Sequence, residues 1–251
     1  PFFDSEKNYG SIQRKTKKKK DSSWKSLLKI AAIFAVIAVS YFAFFNDSQT
    51  SIQTLAANTE TVVLPDHSVV ELNAETSIKY SEENWDENRS IKLEGEAFFK
   101  VEKGSKFEVE TSAGTVRVLG TQFNIKQRKD YFEVVCFEGL VEVETDEKTL
   151  KLSPGKMFRI HQSEIQTGHT FQPKPTWLNG KSSFESVAFE EVLAELERQY
   201  AVEVKITNPT INQEDHFTGS FVHNDLEAAL KSISLPFGLE YTINGNEVIL
   251  K

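Results

Sequence analysis

Apolar and polar residues alternate with a period of two through the middle of this chain, between residues 61 and 161. Such alternation turns one side of a segment towards a core and the other towards solvent, which is typical of β-strands. Glycine or proline separates the alternating segments, as in all-β sandwiches and barrels. The predicted strands are 61–64, 69–72, 77–80, 91–93, 97–101, 107–110, 115–119, 122–127, 132–137, 140–145, 149–152 and 157–161.

Beyond a proline-containing loop at 171–175, the period of the apolar residues changes to that of a helix. Apolar positions at i, i+3, i+4, i+7 and i+11 predict an amphipathic helix, with charged residues on its solvent side. The apolar positions are Phe189, Val192, Leu193, Leu196 and Tyr200. The predicted solvent side consists of Glu190, Glu191, Glu195, Glu197 and Arg198.

A second helix is predicted to begin with Asn224 as its N-cap, because Glu227 follows three residues later in the capping-box arrangement. Its predicted buried residues are Leu226, Ala229, Leu230 and Ile233. Strands are predicted near residue 184 and at 202–206, 216–222, 239–243 and 248–250, the last two joined by a turn at 244–246. The order β-α-β-β-α-β-β predicts one small sheet with two helices on one face.

An uncharged apolar run occupies residues 30–45 and is preceded by Trp24, Leu27 and Leu28. A helix over residues 24–45 would be about 33 Å long, enough to cross the hydrocarbon core of a bilayer. The alternatives are a buried core helix and a signal peptide. The run is apolar on all sides and no small-residue cleavage site follows it, so we expect a transmembrane helix.

Charge divides at the same run. The chain has a formal net charge of −8, but residues 1–29 hold nine basic and three acidic side chains, a local net charge of +6. Basic flanks of membrane spans stay in the cytoplasm, so we expect a cytoplasmic N-terminus and an exported acidic remainder. The alternative for the basic run is nucleic-acid binding.

These patterns divide the chain into five segments. They are a basic cytoplasmic juxtamembrane tail at 1–23, a transmembrane helix at 24–45, an exported spacer at 46–58, an all-β domain at 59–170 and a small α+β domain at 171–251. The all-β domain is expected to be an antiparallel sandwich or barrel-like. Because residue 1 is proline, we expect further sequence upstream.

Residues suited to catalysis or metal binding are few. No two of the five histidines have a metal-ligand spacing, and no phosphate-binding glycine motif occurs. Ser68 follows Asp66 and His67, but these residues lie in a predicted turn and match no nucleophile motif. Cys136 lies among apolar residues and is predicted to be a core residue. We therefore expect no enzyme activity, catalytic residue, cofactor or metal.

Several ordered blocks of the β segment resemble the FecR family. They are LPDHSVVELN at 64–73, LEGEAFFKV at 93–101, FEVET at 107–111, VRVLGTQFNI at 116–125 and the segment 134–143 with its Glu138-Gly139 step. His67 departs from the pattern, since the family's turn usually has glycine at this position. The histidine predicts a turn without positive φ. The segment from Trp177 to the end, including FTGSF at 217–221, resembles the small domain that follows FecR domains and is similar to the secretin and TonB N-terminal module.

The resemblance implies a transmembrane anti-sigma factor in the inner membrane of a Gram-negative bacterium. Its partners would be membrane lipid, an extracytoplasmic-function sigma factor bound by an N-terminal cytoplasmic domain that this sequence lacks, and the signalling domain of a TonB-dependent outer-membrane receptor. No direct contact with nucleic acid is implied. The receptor is expected to dock on the periplasmic part, by addition of a strand to an edge such as 248–250.

The alternative function is a membrane-anchored periplasmic module that binds glycan or protein without regulating a sigma factor. Glycan binding would require exposed aromatic side chains, for which Trp85, Trp177 and Tyr131 are the candidates. We expect core or loop packing for each of the three.

Overall fold

The computed structural model describes residues 23–45, 49–207, 212 and 215–251. The chain falls into two compact units, residues 1–47 and 48–251. The first contains helix α1 (Ser23–Phe45), whose described side chains, Trp24 and residues 28–39, are exposed. No described helix is both long enough and apolar enough to cross a membrane. All of the predicted basic tail except its last residue lies outside the described residues.

The second unit begins with thirteen strands, which we call the β region (residues 49–169). The strands are β1 (Gln49–Gln53), β2 (Glu60–Val63), β3 (Val69–Leu72), β4 (Ser77–Ser81), β5 (Arg89–Lys100), β6 (Phe107–Thr111), β7 (Gly114–Val118), β8 (Gln122–Arg128), β9 (Tyr131–Glu138), β10 (Val141–Glu144), β11 (Thr149–Leu152), β12 (Lys156–His161) and β13 (Glu164–His169). All belong to one curled sheet. An all-β architecture for this part of the chain is thereby confirmed.

Strand β5 joins two layers of this sheet. Its first half pairs with β4 and β6, and its second half pairs with β3 and β8. Gly95 lies between the halves with φ of +117°, and a Cβ there would lie 2.6 Å from the Thr76 hydroxyl, so only glycine fits this bend. The first layer has the order β1-β4-β5-β6-β7-β10-β11, and the second has the order β2-β3-β5-β8-β9-β12-β13.

The inner faces of both layers contribute to one hydrophobic cluster. Its largest fully buried side chains are Trp85, Phe99, Phe107, Phe123, Phe132 and Phe158. Cys136 is fully buried in the same cluster, as predicted, and burial raises the pKa of its thiol to about 11, so it is not a reactive thiolate.

The structure differs from the predicted strand pattern in three ways. Strands 91–93 and 97–101 are one continuous strand, β5, and its pairing with β6 is parallel, so the sheet is not wholly antiparallel. Strand β1 lies in the predicted spacer, and β13 was not predicted. Each of these two strands has one large apolar residue, Ile52 or Ile165, so its sequence shows no alternation.

The turn between β2 and β3 contradicts the expectation for His67, which has φ of +67°. The Leu64 carbonyl accepts a hydrogen bond from the His67 N–H, and the Leu64 N–H donates to the Ser68 carbonyl. A three-residue hairpin loop of this kind ends with a residue in the left-handed conformation. The loop length therefore fixes the conformation at position 67, and histidine adopts it in place of glycine.

The C-terminal region (residues 176–250) has the predicted order β-α-β-β-α-β-β. Its elements are a 3₁₀ turn (Thr176–Asn179), β14 (Lys181–Ala188), α2 (Phe189–Tyr200), β15 (Glu203–Ile206), β16 (His216–Val222), α3 (Leu226–Ser234), a second 3₁₀ turn (Leu235–Phe237), β17 (Tyr241–Asn244) and β18 (Glu247–Leu250). The N-cap of α3 is Asp225 rather than Asn224, because the Asp225 carboxylate accepts the Ala228 N–H.

The strands of this region form two sheets rather than the predicted one. Strand β14 pairs with β16, and a separate sheet has the order β15-β18-β17. The prediction that 248–250 forms an edge was wrong, because β18 is the central strand, parallel to β15 and antiparallel to β17. A hairpin signal identifies the sequence neighbour of β18 but not the parallel strand on its other side.

Candidate functional site

A buried layer of polar side chains lies where the C-terminal region packs on the second layer of the β region. We call this layer the junction. It consists of Asn73, Glu96, Asn124 and Lys126 from the β region and of Ser182, Glu195, Arg198 and Gln199 from the C-terminal region. It is the largest concentration of buried charge in the part of the chain that the structure describes.

On the β side, strand alternation places the junction residues on the outer face of the sheet. Glu96 on β5 is the register partner of Lys126 on β8, so their side chains lie on one face. Asn124 lies two residues before Lys126 and shares that face, whereas Phe123 and Ile125 point into the core. The outer face would be solvated if the C-terminal region did not cover it.

On the other side, helix α2 contributes Glu195, Arg198 and Gln199, which are spaced i, i+3 and i+4 and so lie on one face of the helix. The prediction that Glu195 lies on a solvent side was wrong, because its side chain is 2% exposed. The helix is buried on two faces: the apolar face packs in its own region, and this polar face packs on the β region.

Lys126 lies between carboxylates from the two regions. Its Nζ is 3.1 Å from Oε2 of Glu195 and 3.9 Å from Oε2 of Glu96. Arg198 binds the same Glu195 oxygen through Nη2 at 3.0 Å. Lys126 and Arg198 thus both pair with Glu195 in a site that excludes most water.

Amide and hydroxyl groups complete the bonding of both carboxylates. Glu96 accepts hydrogen bonds from the side-chain amides of Asn73 and Asn124, each at 3.0 Å. Glu195 accepts from Gln199 at 2.9 Å and from the Ser182 hydroxyl at 3.3 Å.

Gln199 also bridges the regions, because the second proton of its amide nitrogen is donated to Asn73 Oδ1 at 2.8 Å. Trp177 adds a bond from its indole N–H to Asn124 Oδ1 at 3.2 Å. The C-terminal end of α2 is held as well, since the Arg198 carbonyl accepts the Ala57 N–H at 2.7 Å.

The two buried carboxyls have opposite pKa shifts. Burial by itself would raise the pKa of Glu195, but Lys126, Arg198 and Arg128 hold it well below the ordinary value. For Glu96, burial dominates and raises the pKa, with repulsion from Glu195 adding to the effect. Glu195 is therefore the fixed anion of the junction, and Glu96 is the carboxyl that gains a proton more readily.

A second ion pair lies beside the junction. Arg159 Nε is 2.7 Å from Oε2 of Glu133, which also accepts a hydrogen bond from the Tyr131 hydroxyl at 2.8 Å. The Arg159 guanidinium lies over the Tyr131 ring at 5.5 Å, a cation–π contact. These side chains line a cleft of about 410 Å³ between the two regions, together with Trp177 and Phe184.

Ser182 and His223, which are 41 residues apart, come within 2.9 Å of each other, a pairing that sequence spacing could not reveal. Burial lowers the pKa of His223, which favours the neutral ring. The Ser182 hydroxyl also lies 3.3 Å from Oε1 of Glu195, and the tautomer of His223 decides which of the two groups donates in the serine–histidine bond.

The aromatic residues considered for glycan binding are all buried. Trp85 is in the core of the β region, and Tyr131 belongs to the hydrophobic cluster of the C-terminal region. Trp177 is 7% exposed and covers Asn124. None of the three offers an exposed ring face. Among the described residues, no group of three or more histidine, cysteine or acidic side chains is placed to hold a metal ion.

Comparison with known proteins assigns both parts of the second unit. Residues 50–142 match the family model described as FecR protein, and residues 181–250 match the model described as FecR, C-terminal. The chain belongs to the FecR family. Membership in this family implies a regulatory rather than a catalytic role. The junction therefore connects two FecR-family modules, because Glu96, Asn124 and Lys126 lie in the first match and Ser182 and Glu195 in the second.

Two solved structures are similar to this FecR-family chain, and both are of a proposed anti-sigma factor from Parabacteroides distasonis. One, at 2.50 Å resolution, has a TM-score of 0.76 and 31% identity and covers 81% of this chain and 98% of its own. The other, at 1.65 Å resolution, has a TM-score of 0.75 and 31% identity and covers 80% of this chain and 98% of its own. No curated protein matches the chain.

Proposed function

We propose that this protein is a transmembrane signal transducer that acts as an anti-sigma factor. The observation that carries the proposal is the similarity to a proposed anti-sigma factor, which extends over 81% of the chain. Its partner in the cytoplasm would be an extracytoplasmic-function sigma factor, bound on the N-terminal side of helix α1.

The proposed topology is a single pass through a bacterial inner membrane, with residues 49–251 in the periplasm. Two sequence features support it: the uncharged run 30–45, and the change in net charge from +6 on its N-terminal side to −14 over the remainder. Fusion of an alkaline phosphatase reporter after residue 251 should give activity, and fusion before residue 23 should not. The reverse pattern would contradict the topology.

The proposed input is the signalling domain of a TonB-dependent outer-membrane receptor, which would dock on the C-terminal region. Strand addition at β18 is not available, because this strand is paired on both sides. The strands at the edges of this sheet, β15 and β17, are the places where a further strand can pair.

The test of the function is affinity purification of the intact gene product, tagged at its C-terminus, from cells. Recovery of a sigma factor, lost when the segment on the N-terminal side of α1 is deleted, is the expected result. Purification that repeatedly recovers no sigma factor, together with glycan binding by residues 46–251, would favour the anchored binding module instead. The burial of Trp85, Trp177 and Tyr131 argues against that alternative.

A further inference from the structure

The β region and the C-terminal region each have a hydrophobic cluster of their own, with the junction between them. Among the described residues, Tyr131 is the one buried side chain of the β region that belongs to the second cluster. The rest of the contact described above consists of ion pairs and hydrogen bonds. Interfaces of this polar kind are typical of domains that move relative to each other within one chain.

The packing of the two regions against each other, as the structure shows it, depends on ion pairs formed across the junction. Lys126 lies nearer to Glu195, at 3.1 Å, than to Glu96 of its own region, at 3.9 Å. A buried charge that loses its partner is strongly unfavourable, so the contact requires both. Separation of the two regions would return these charged groups to water and would also expose the rings of Tyr131 and Trp177. Each region would keep its own core.

The connection between the regions allows such a separation. Residues 171–174 are exposed, and Phe171 is 97% exposed. The segment is fixed at its ends, where Thr170 N–H bonds the Gly155 carbonyl and where Pro175 is buried. The chain between these points makes few contacts that would resist a change in the angle between the regions.

We propose that the junction is a latch, which holds the C-terminal region against the β region in a closed state and releases it in an open state. Any partner that binds the open C-terminal region more tightly shifts the population towards that state. The use of this opening as the signal rests on the proposed function, but the latch itself does not. Its test therefore needs neither a sigma factor nor a receptor.

The experiment measures the distance between spin labels on the full chain in lipid nanodiscs, with labels on Ser112→Cys and Lys231→Cys. Both positions are exposed, and the native Cys136 is fully buried, so labelling is confined to the introduced sites. The wild-type chain should give mainly one distance, with an open state below about 10%. Glu195→Gln should add a longer distance and raise the ratio of open to closed molecules at least tenfold.

Lys126→Gln removes the same ion pair from the side of β8 and should produce the same longer distance. The matched control is Glu142→Gln, which removes a carboxylate from a surface pair 3.5 Å from Lys151 and should leave the distance unchanged. Hydrogen exchange in the labelled variants should show that the amides of β8, β16 and β18 stay protected. That result separates opening from unfolding.

Two outcomes would overturn the latch. One is an unchanged distance in both Glu195→Gln and Lys126→Gln. The other is loss of protection in β16 and β18 in both variants, since the junction would then be part of the core of the C-terminal region. Because neither readout involves sigma-factor recovery, failure of the latch and failure of the proposed function are distinguishable.

Discussion

Arg89 in the β region and Lys126 at the junction are both largely buried cations paired with carboxylates. Arg89 connects segments within one region, whereas Lys126 connects two regions. Arg89 donates from Nε to Asp66 at 2.8 Å, and from Nη1 and Nη2 to the carbonyls of Ser105 and Glu102 at 2.8 and 3.0 Å. All of these partners belong to the β region. Lys126 instead lies between one carboxylate of the β region and one of the C-terminal region.

The difference shows two uses of buried charge. The planar guanidinium of Arg89 satisfies a fixed set of acceptors, and Ser68 completes the set by donating to Asp66 at 2.8 Å and accepting the Glu102 N–H at 2.9 Å. Loss of that group should weaken the fold of one region. Loss of a charge at the junction should change the relation between two regions that each stay folded.

The largest effect is expected from Arg89→Ala. The substitution removes the largely buried cation that pairs with Asp66 and the donor to the carbonyls of Glu102 and Ser105, which should lower the free energy of unfolding of the β region by about 4 kcal/mol. Urea denaturation followed by Trp85 fluorescence measures this, since Trp85 packs edge-on against Phe107, the ring beneath the Arg89 guanidinium.

The matched control for Arg89 is Arg117→Ala. Arg117 also pairs with carboxylates, those of Glu108 and Glu144, but its side chain is 30% exposed. Surface ion pairs of this kind contribute less than about 1 kcal/mol. Equal losses from the two substitutions would show that burial of Arg89 has no special importance.

The next effect is the pH dependence of the junction, where Glu195 and Glu96 should act in opposite directions. The lowered pKa of Glu195 means that its charged form favours the closed state. This contribution is fully present at a pH above 4.5, the ordinary pKa of the group, and is lost as the pH falls through the lowered pKa. The raised pKa of Glu96 means that its protonated form favours the closed state. This contribution is fully present below pH 4.5 and is lost as the pH rises through the raised pKa.

Glu195→Gln should therefore open the junction more at about pH 7 than at about pH 4. At the higher pH the ratio of open to closed molecules should rise roughly a hundredfold, because a broken buried pair costs about 3 kcal/mol. Glu96→Gln should open it less at about pH 7 than at about pH 4. Spin-label distances at both pH values give the two ratios. The same sign of pH dependence in both variants would contradict the assignment of the two carboxyls.

How far the sequence could predict these features depends on the range of the contacts. Alternation in Val70, Leu72, Phe123 and Ile125 shows which side of a strand is buried, and the structure places all four in the core. The same alternation puts Lys126 on the outer face but cannot show that this face is covered. The partner of Lys126, Glu195, is 69 residues away.

Helix α2, on the C-terminal side of the junction, also shows that the sequence predicts the packing within a region but not the contact between regions. Phe189, Val192, Leu193 and Leu196 are buried as predicted, because the apolar pattern reports the packing of that face. Glu195 is equally buried, but a charged residue opposite an apolar stripe indicates solvent unless a complementary charge is known to face it. The junction was therefore missed, although each of its residues is visible in the sequence.

A smaller effect is expected from Trp177→Phe, which removes the indole N–H that bonds Asn124 Oδ1. Loss of one such bond contributes about 1 kcal/mol, or roughly a fivefold increase in the ratio of open to closed molecules. Trp85→Phe is the control within the β region, since the indole nitrogen of Trp85 has no hydrogen-bond partner among the described residues. The spin-label distance should change in the first variant and not in the second.

The smallest effect is expected from His67→Gly, which tests the one turn conformation that was predicted wrongly. A left-handed φ of +67° is unfavourable for histidine by about 1 kcal/mol, and glycine adopts it without that penalty. Glycine loses more backbone entropy on folding, so the net gain in the free energy of unfolding should be about 0.5 kcal/mol. Urea denaturation of the β region measures it. The hydrogen bond from the Ser68 N–H to the Asp66 carboxylate should persist, because it does not involve the His67 side chain. A loss of stability would mean that the imidazole itself supports the turn.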